Sequence, residues 1–229
     1  MDSLRLRLIK SVIAIVVCTI PCGIFWKRFF DILMLYPLSL TNPKPQLIFT
    51  NPSESVILSF QIAIFCGLIA ASPFLFFQIW RFLSPQIINL KKSRILLITI
   101  WSSMFFFLGC AFCYFTLPIV LNFLVSYAQN RIEPVFKIAE YFGFLLKLSL
   151  SFGAVFELPV ITFILSKMGL VNARFLLVNS RYAIIAIFIV AAILTPPDVF
   201  SQLMLAVPLL LLYGLSIIIA LFSYKKSQE

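Results

Sequence analysis

Residues 141–166 read YFGFLLKLSLSFGAVFELPVITFILS, with Lys147 and Glu157 as the only charges. About 20 consecutive apolar residues cross the hydrocarbon of a bilayer as a helix, so this stretch is long enough to do so. The Phe156-Glu157-Leu158-Pro159 segment then becomes the point of interest, because an acid near the bilayer centre costs about 2.5–3.5 kcal/mol on insertion scales. Glu157 lies past the middle of the stretch and has no short route to the interface. It reads as a functional or partner-contacting residue, the alternative being an internally hydrogen-bonded one. Lys147 precedes it by roughly 15 Å along a helix and about 80° around it, so the two are not a simple ion pair. The long aliphatic stem of Lys147 also lets it snorkel outward.

Outward from this stretch the same pattern recurs. Charge-free or nearly charge-free runs cover 11–26, 55–80, 95–130, 182–197 and 199–224. With 141–166 they predict an all-α polytopic membrane protein of six transmembrane helices, at approximately 8–26, 55–80, 95–125, 141–166, 182–196 and 199–222, and one domain over 1–229. The alternation of a membrane barrel is nowhere visible. Composition agrees: 62% apolar, 11% charged and a mean hydropathy of +1.08, against roughly 45–50% and about 25% for a soluble domain. The first and fifth runs are short for a bilayer, which predicts local thinning and snorkelling beside the fifth. The basic start and apolar run of 1–26 would also suit a cleavable signal peptide, but Pro21-Cys22-Gly23 is a poor cleavage site. Pro73, Pro118, Pro159 and Pro208 predict kinked helices and hence a concave bundle, and Pro196-Pro197 ends the fifth helix. Polar-leaning loops occupy 27–54, with Pro37, and 128–140.

The chain has no histidine, which excludes Ser-His-Asp and Cys-His catalysis and His-ligated haem and argues against most zinc and copper sites. No catalytic residue, metal site or cofactor is expected. Cys18, Cys22, Cys66, Cys110 and Cys113 all lie in apolar runs and read as small buried hydrophobes rather than redox or metal ligands. The net charge of +10 is chiefly an orientation signal. Twelve basic residues fall on the side of the two termini (Arg5, Arg7, Lys10; Arg81, Lys91, Lys92, Arg94; Lys167, Arg174, Arg181; Lys225, Lys226) and five on the other (Lys27, Arg28, Lys44, Arg131, Lys137). Both termini are therefore expected on the side of synthesis. The scatter of these residues, with no aromatic platform among them, argues against nucleic acid, whereas anionic lipid headgroups are an adequate partner. Asp198 is placed to cap the last helix, with Ser201 at the matching spacing. Gln78 and Gln202 suit interhelical hydrogen bonds.

The string Leu194-Thr195-Pro196-Pro197-Asp198-Val199-Phe200-Ser201-Gln202, together with Phe156-Glu157-Leu158-Pro159, Ser72-Pro73 and Gln78-Ile79-Trp80-Arg81-Phe82 through Pro85, resembles the TatC family over nearly the whole chain. That family is the six-span core of the twin-arginine, Sec-independent protein translocase. The resemblance implies a cupped helical bundle that is not an enzyme. It also implies recognition of signal peptides with paired arginines, recruitment of single-span TatA/TatB-type partners into an oligomeric complex, and movement of folded precursor proteins across an energised membrane using the proton-motive force. Glu157 matches the family's intramembrane glutamate on the concave face. Asp198 and Gln202 match the segment where a single-span partner packs, and Arg5, Pro37, Pro73 and Phe82 match further motif positions.

Two positions depart from the resembled pattern. The family's acidic signal-binding patch has a glutamate just before the Leu-Arg-x-Arg of the tail and another six residues after the proline that is here Pro85; this chain has Ser3 and Lys91 there. A carboxylate pairs bidentately with arginine and a lysine repels it, so the twin-arginine code is expected to be read differently. The 26 phenylalanines beside a complete lack of histidine suit an AT-biased organellar genome, favouring a mitochondrial inner membrane over a thylakoid or bacterial plasma membrane. Two other classes fit the residues alone: a proton-coupled carrier using Glu157 and Lys147, and a structural subunit of a respiratory complex.

Overall fold

The computed structural model describes residues 2–87, 92–126, 134–194 and 199–225. Among the described residues five helical spans are long and apolar enough to cross a membrane, Ile138–Lys167 counted as one, and a shorter apolar helix, Ser180–Leu194, makes the sixth. In chain order the principal elements are α1 (Asp2–Ile24), α2 (Trp26–Phe30), a π-helical turn (Asp31–Leu35), α3 (Tyr36–Ser39), β1 (Gln46–Ile48), α4 (Glu54–Ile87), α5 (Lys92–Ser126) and β2 (Val135–Lys137). Then follow α6 (Ile138–Phe156), α7 (Leu158–Lys167), α8 (Ala173–Val178), α9 (Ser180–Leu194) and α10 (Val199–Lys225).

The core lies between α4, α5 and α6. Ile62, Leu117, Ile138, Phe142 and Leu145 are fully buried there, and Phe65 meets Phe142 edge to face at 6.0 Å. Outward-facing side chains such as Phe60, Phe115, Leu211 and Phe222 are exposed, as expected where hydrocarbon rather than water is the solvent. With lipid as apolar as the core, close backbone approach drives helix pairing. Gly109 shows this: a Cβ added there would stand 2.7 Å from the Phe152 carbonyl oxygen and 3.0 Å from the Gly153 Cα. A Cβ on Gly67 of α4 would likewise stand 2.7 Å from the Thr19 Cα of α1.

The stretch 141–166 is not one helix. It breaks at Glu157, whose φ/ψ of −73°/−14° ends α6 and opens α7. Pro159, at the second position of α7, lacks the N–H that a continuous helix would need, and its ring disfavours the preceding turn. By contrast, α1, α4, α5 and α10 run through Pro21, Pro73, Pro118 and Pro208, so proline alone does not divide a helix here.

The two loops are more ordered than their composition implies. β1 and β2 pair in parallel, Gln46 against Val135 through Ile48 against Lys137. Met34 and Leu38 from the first loop are buried in the same core as α4–α6, and Pro37 between them is fully buried. Three polar contacts fix that loop on α5: the Tyr114 hydroxyl donates to the Ile32 carbonyl at 2.7 Å, Asn122 donates to the Leu40 carbonyl at 3.3 Å, and the Asn42 N–H donates to Asn122 Oδ1 at 2.9 Å.

Candidate functional site

The helix break delivers Glu157 to a cavity. Its side chain is only 6% exposed, and neither carboxyl oxygen makes a hydrogen bond of good geometry within the protein. It faces a cavity of about 500 Å³ between α4, α5 and the α6/α7 junction, lined by Phe76, Trp80, Leu83, Phe106, Ile161 and Leu165 among others. Every other named wall residue is apolar or aromatic, so the carboxyl is the one ionisable group in a hydrocarbon-like recess. The Ser102 hydroxyl neighbours it, and Ser102 Oγ accepts from Trp80 Nε1 at 2.8 Å. The hydrogen-bonded Trp80–Ser102 pair thus stands beside the carboxyl without satisfying it. The Trp101-Ser102-Ser103 triplet inside a charge-free run was the signal that could have marked Ser102.

Lys147 is exposed on α6 while Glu157 is buried, so the two share no site. Such a recess has the chemistry to hold an apolar segment and to offer one polar anchor to a hydroxyl, amide or cation on it. Among the described residues it holds no cluster of metal ligands, and the Ser102 hydroxyl beside the carboxyl accepts from Trp80 Nε1.

The end of the bundle bearing the N-terminus carries Phe82. There the partner of its ring is Arg7, whose guanidinium lies 5.7 Å from the ring centroid; Arg5, the basic residue singled out from the sequence, is exposed. Arg7 Nη1 is buried without a hydrogen bond. The Leu4-Arg5-Leu6-Arg7 alternation contains both arginines, and only packing against α4 distinguishes them. Of the remaining expected positions, Ser3 lies on α1 without a described side chain, and Lys91 and Asp198 lie outside the described residues. Pro37 is fully buried and Pro73 half-buried. Gln202 is part-buried and donates from Nε2 to the Phe188 carbonyl at 3.1 Å, tying α10 to α9. The cysteines are free thiols, and the Cys110/Cys113 pair is engaged with Ser149 of α6 at 3.6 Å in both contacts.

A six-helix membrane bundle with a buried acid in an apolar recess has the build of a membrane receptor or transport scaffold. The model of the Sec-independent protein translocase protein (TatC) family matches residues 1–208. The Sec-independent protein translocase protein TatC of Carboxydothermus hydrogenoformans is 40% identical over 97% of this chain and 91% of its own length. That of Desulforapulum autotrophicum is 37% identical over all of this chain and 86% of its own. Among solved structures, the twin-arginine translocase receptor TatC crystallised in DDM superposes with a TM-score of 0.86 at 35% identity, covering 96% of this chain and 98% of that one. The chain belongs to the TatC family, a family of transport proteins and not of enzymes.

Proposed function

We propose that this protein is the receptor core of a twin-arginine-type translocase, accepting precursor signal peptides and, with single-span TatA/TatB-type partners, moving folded proteins across an energised membrane. One observation carries the reading: the buried Glu157 carboxyl, without a hydrogen-bond partner, at the wall of a 500 Å³ apolar recess. A buried polar group left unpaired costs about 1–3 kcal/mol in protein mutational data, and a partner or signal segment supplying a donor recovers it.

On this reading both termini face the compartment of synthesis, in keeping with the twelve-to-five division of basic residues. Asp198 and Gln202 mark the edge where a partner helix docks beside α9. Arg5, Arg7 and Phe82 mark the signal-receiving end, where Ser3 and Lys91 replace the family's acids and relax the demand for paired arginines. The relatives are bacterial, which supports a plasma membrane rather than the mitochondrial inner membrane suggested by the phenylalanine-rich composition.

The test is export of a folded reporter in cells whose own TatC is replaced by this chain, with twin-Arg and twin-Lys signals, for wild type and Glu157→Ala, alongside proton and solute flux. Export supported by wild type and reduced at least tenfold by Glu157→Ala is expected, with both signals accepted. Flux lost while export stays intact would favour a carrier and overturn the reading. A strong preference for twin-Arg would overturn the roles given to Ser3 and Lys91.

A further inference from the structure

A second recess, which Glu157 does not line, opens on the other side of the same α5/α7 contact. It is a cleft of about 250 Å³ between α5, α7 and α10, walled by Leu97, Trp101, Phe105, Pro159, Phe163 and Ile219 among others, all apolar. Its walls are fixed. Ile98 of α5 packs on Val160 and Ile164 of α7, and the Ser166 hydroxyl donates to the Ala220 carbonyl of α10 at 3.3 Å. The packing of Ile98 on α7 sets the beginning of α5 beside the end of α7.

That arrangement brings positive charge to one mouth of the cleft. Arg94 is one turn before Leu97 on α5 and exposed. Lys167 is one turn after Phe163 on α7, and its ammonium lies 6.0 Å from the centroid of the Phe163 ring that walls the cleft. Neither is ion-paired with a described acidic residue. From Leu97 to Phe105 the cleft runs about 12 Å down the helix axis, away from the charged end and into the membrane.

We propose that this cleft is a binding site for an anionic phospholipid, one acyl chain lying along α5 and the phosphate held by Arg94 and Lys167. Three features select that occupant. Apart from the Trp101 indole N–H, the walls offer water no hydrogen-bond partner, so the slot takes hydrocarbon. Its walls belong to helices already packed on one another, α5 on α7 and α7 on α10, so the slot between them suits a flexible acyl chain lying along it rather than a helix about 10 Å across. Both cations stand at the same end, where headgroups lie, and each basic residue near a membrane surface favours anionic over neutral lipid about fivefold.

The test uses the full chain in nanodiscs of phosphatidylcholine containing one tenth phosphatidylglycerol, with dibrominated acyl chains placed on either lipid in turn. Quenching assigned to Trp101 is the difference between wild type and Trp101→Phe. Normalised to mole fraction, phosphatidylglycerol is expected to quench Trp101 at least fivefold more effectively than phosphatidylcholine. The preference is expected to vanish in Arg94→Gln/Lys167→Gln. It should also vanish in Val160→Phe, which fills the slot and leaves both charges. Native mass spectrometry of the same variants, counting retained phosphatidylglycerol, reads the site without fluorescence. Equal quenching by the two lipids overturns the proposal. So does a preference that survives Val160→Phe, the signature of diffuse surface charge, or protection of Trp101 from both lipids, the signature of a protein occupant.

Discussion

Replacing Glu157 with leucine is expected to make the protein more stable while abolishing its function. The side chain is 6% exposed, its oxygens lack hydrogen bonds, and the recess it faces is otherwise apolar. Mutational data put an unsatisfied buried polar group at about 1–3 kcal/mol. Leucine removes that cost and is of similar volume, so no large void or clash is introduced. Stability should therefore rise by about 1–3 kcal/mol, an increase of roughly five- to 150-fold in the folded-to-unfolded ratio. Glu157→Gln keeps an unpaired polar group and should stay near wild type.

The cysteines supply the assay, because all are free and Cys22 and Cys113 are buried in the helices. A thiol-reactive dye added during heating in mild detergent reports the unfolding midpoint directly. A higher midpoint for Glu157→Leu with export lost would show that the acid is kept at a stability cost for work done on another molecule. If Glu157→Leu lowered stability by more than about 1 kcal/mol, the carboxyl must be held inside the protein, contrary to its geometry.

Other outcomes follow from the same contacts. Gly109→Ala places a methyl 2.7 Å from the Phe152 carbonyl oxygen and should cost about 1–3 kcal/mol by forcing α5 and α6 apart. Gly143→Ala meets nothing within 4 Å and should leave the dye midpoint unchanged or raise it; equal effects of the two would refute the close crossing. Gln202→Leu removes one interhelical bond, worth about 0.6 kcal/mol on average in membranes. A small midpoint change is expected beside a large loss of crosslinking to a single-span partner, and unchanged crosslinking would remove Gln202 from that contact. A double-mutant cycle on Arg7→Gln and Phe82→Leu should return a coupling of about 0.5–1 kcal/mol, and a coupling near zero would dissolve the stack.

The helices were legible because a bilayer needs long apolar runs and the charges between them are few. The short fifth helix showed in the same way, as the run between Arg181 and Asp198. Three features were not legible for identifiable reasons. β1 and β2 are three residues each, too short for alternation to register, and their pairing depends on α4 and α5 bringing distant loops together. The division at Glu157 could not be told from the other prolines in helices: Pro118 and Pro208 leave their helices continuous while Pro159 does not, and the difference lies in packing around the break. Arg7 rather than Arg5 stacks on Phe82 because the face of α1 that meets α4 contains residue 7, a choice that the Leu-Arg-Leu-Arg alternation leaves open. At the site, Glu157 announced itself by its cost in a membrane, whereas the Trp80–Ser102 pair beside it needed two helices to be set side by side.

Two features of the bundle run against what stability alone would select. The buried carboxyl is one, and α9 is the other. Its 15 residues extend about 22 Å, against roughly 30 Å of hydrocarbon. The shortfall of about 8 Å, at a fraction of a kcal/mol per Å, would amount to a few kcal/mol, to be met by bilayer thinning or snorkelling. Within α9 only Ile187 and Ala191 are buried, while Ile185, Ile189 and Ile193 are exposed, so packing returns little of that cost. Gln202 of α10 adds a polar link by donating to the Phe188 carbonyl of α9. A purely structural subunit would gain by lengthening α9 and replacing Glu157 with an apolar residue, and each change is a short mutational step. On the function proposed above, their joint presence has a use: a region where the barrier is thin, and a recess where an incoming segment finds a polar partner in Glu157.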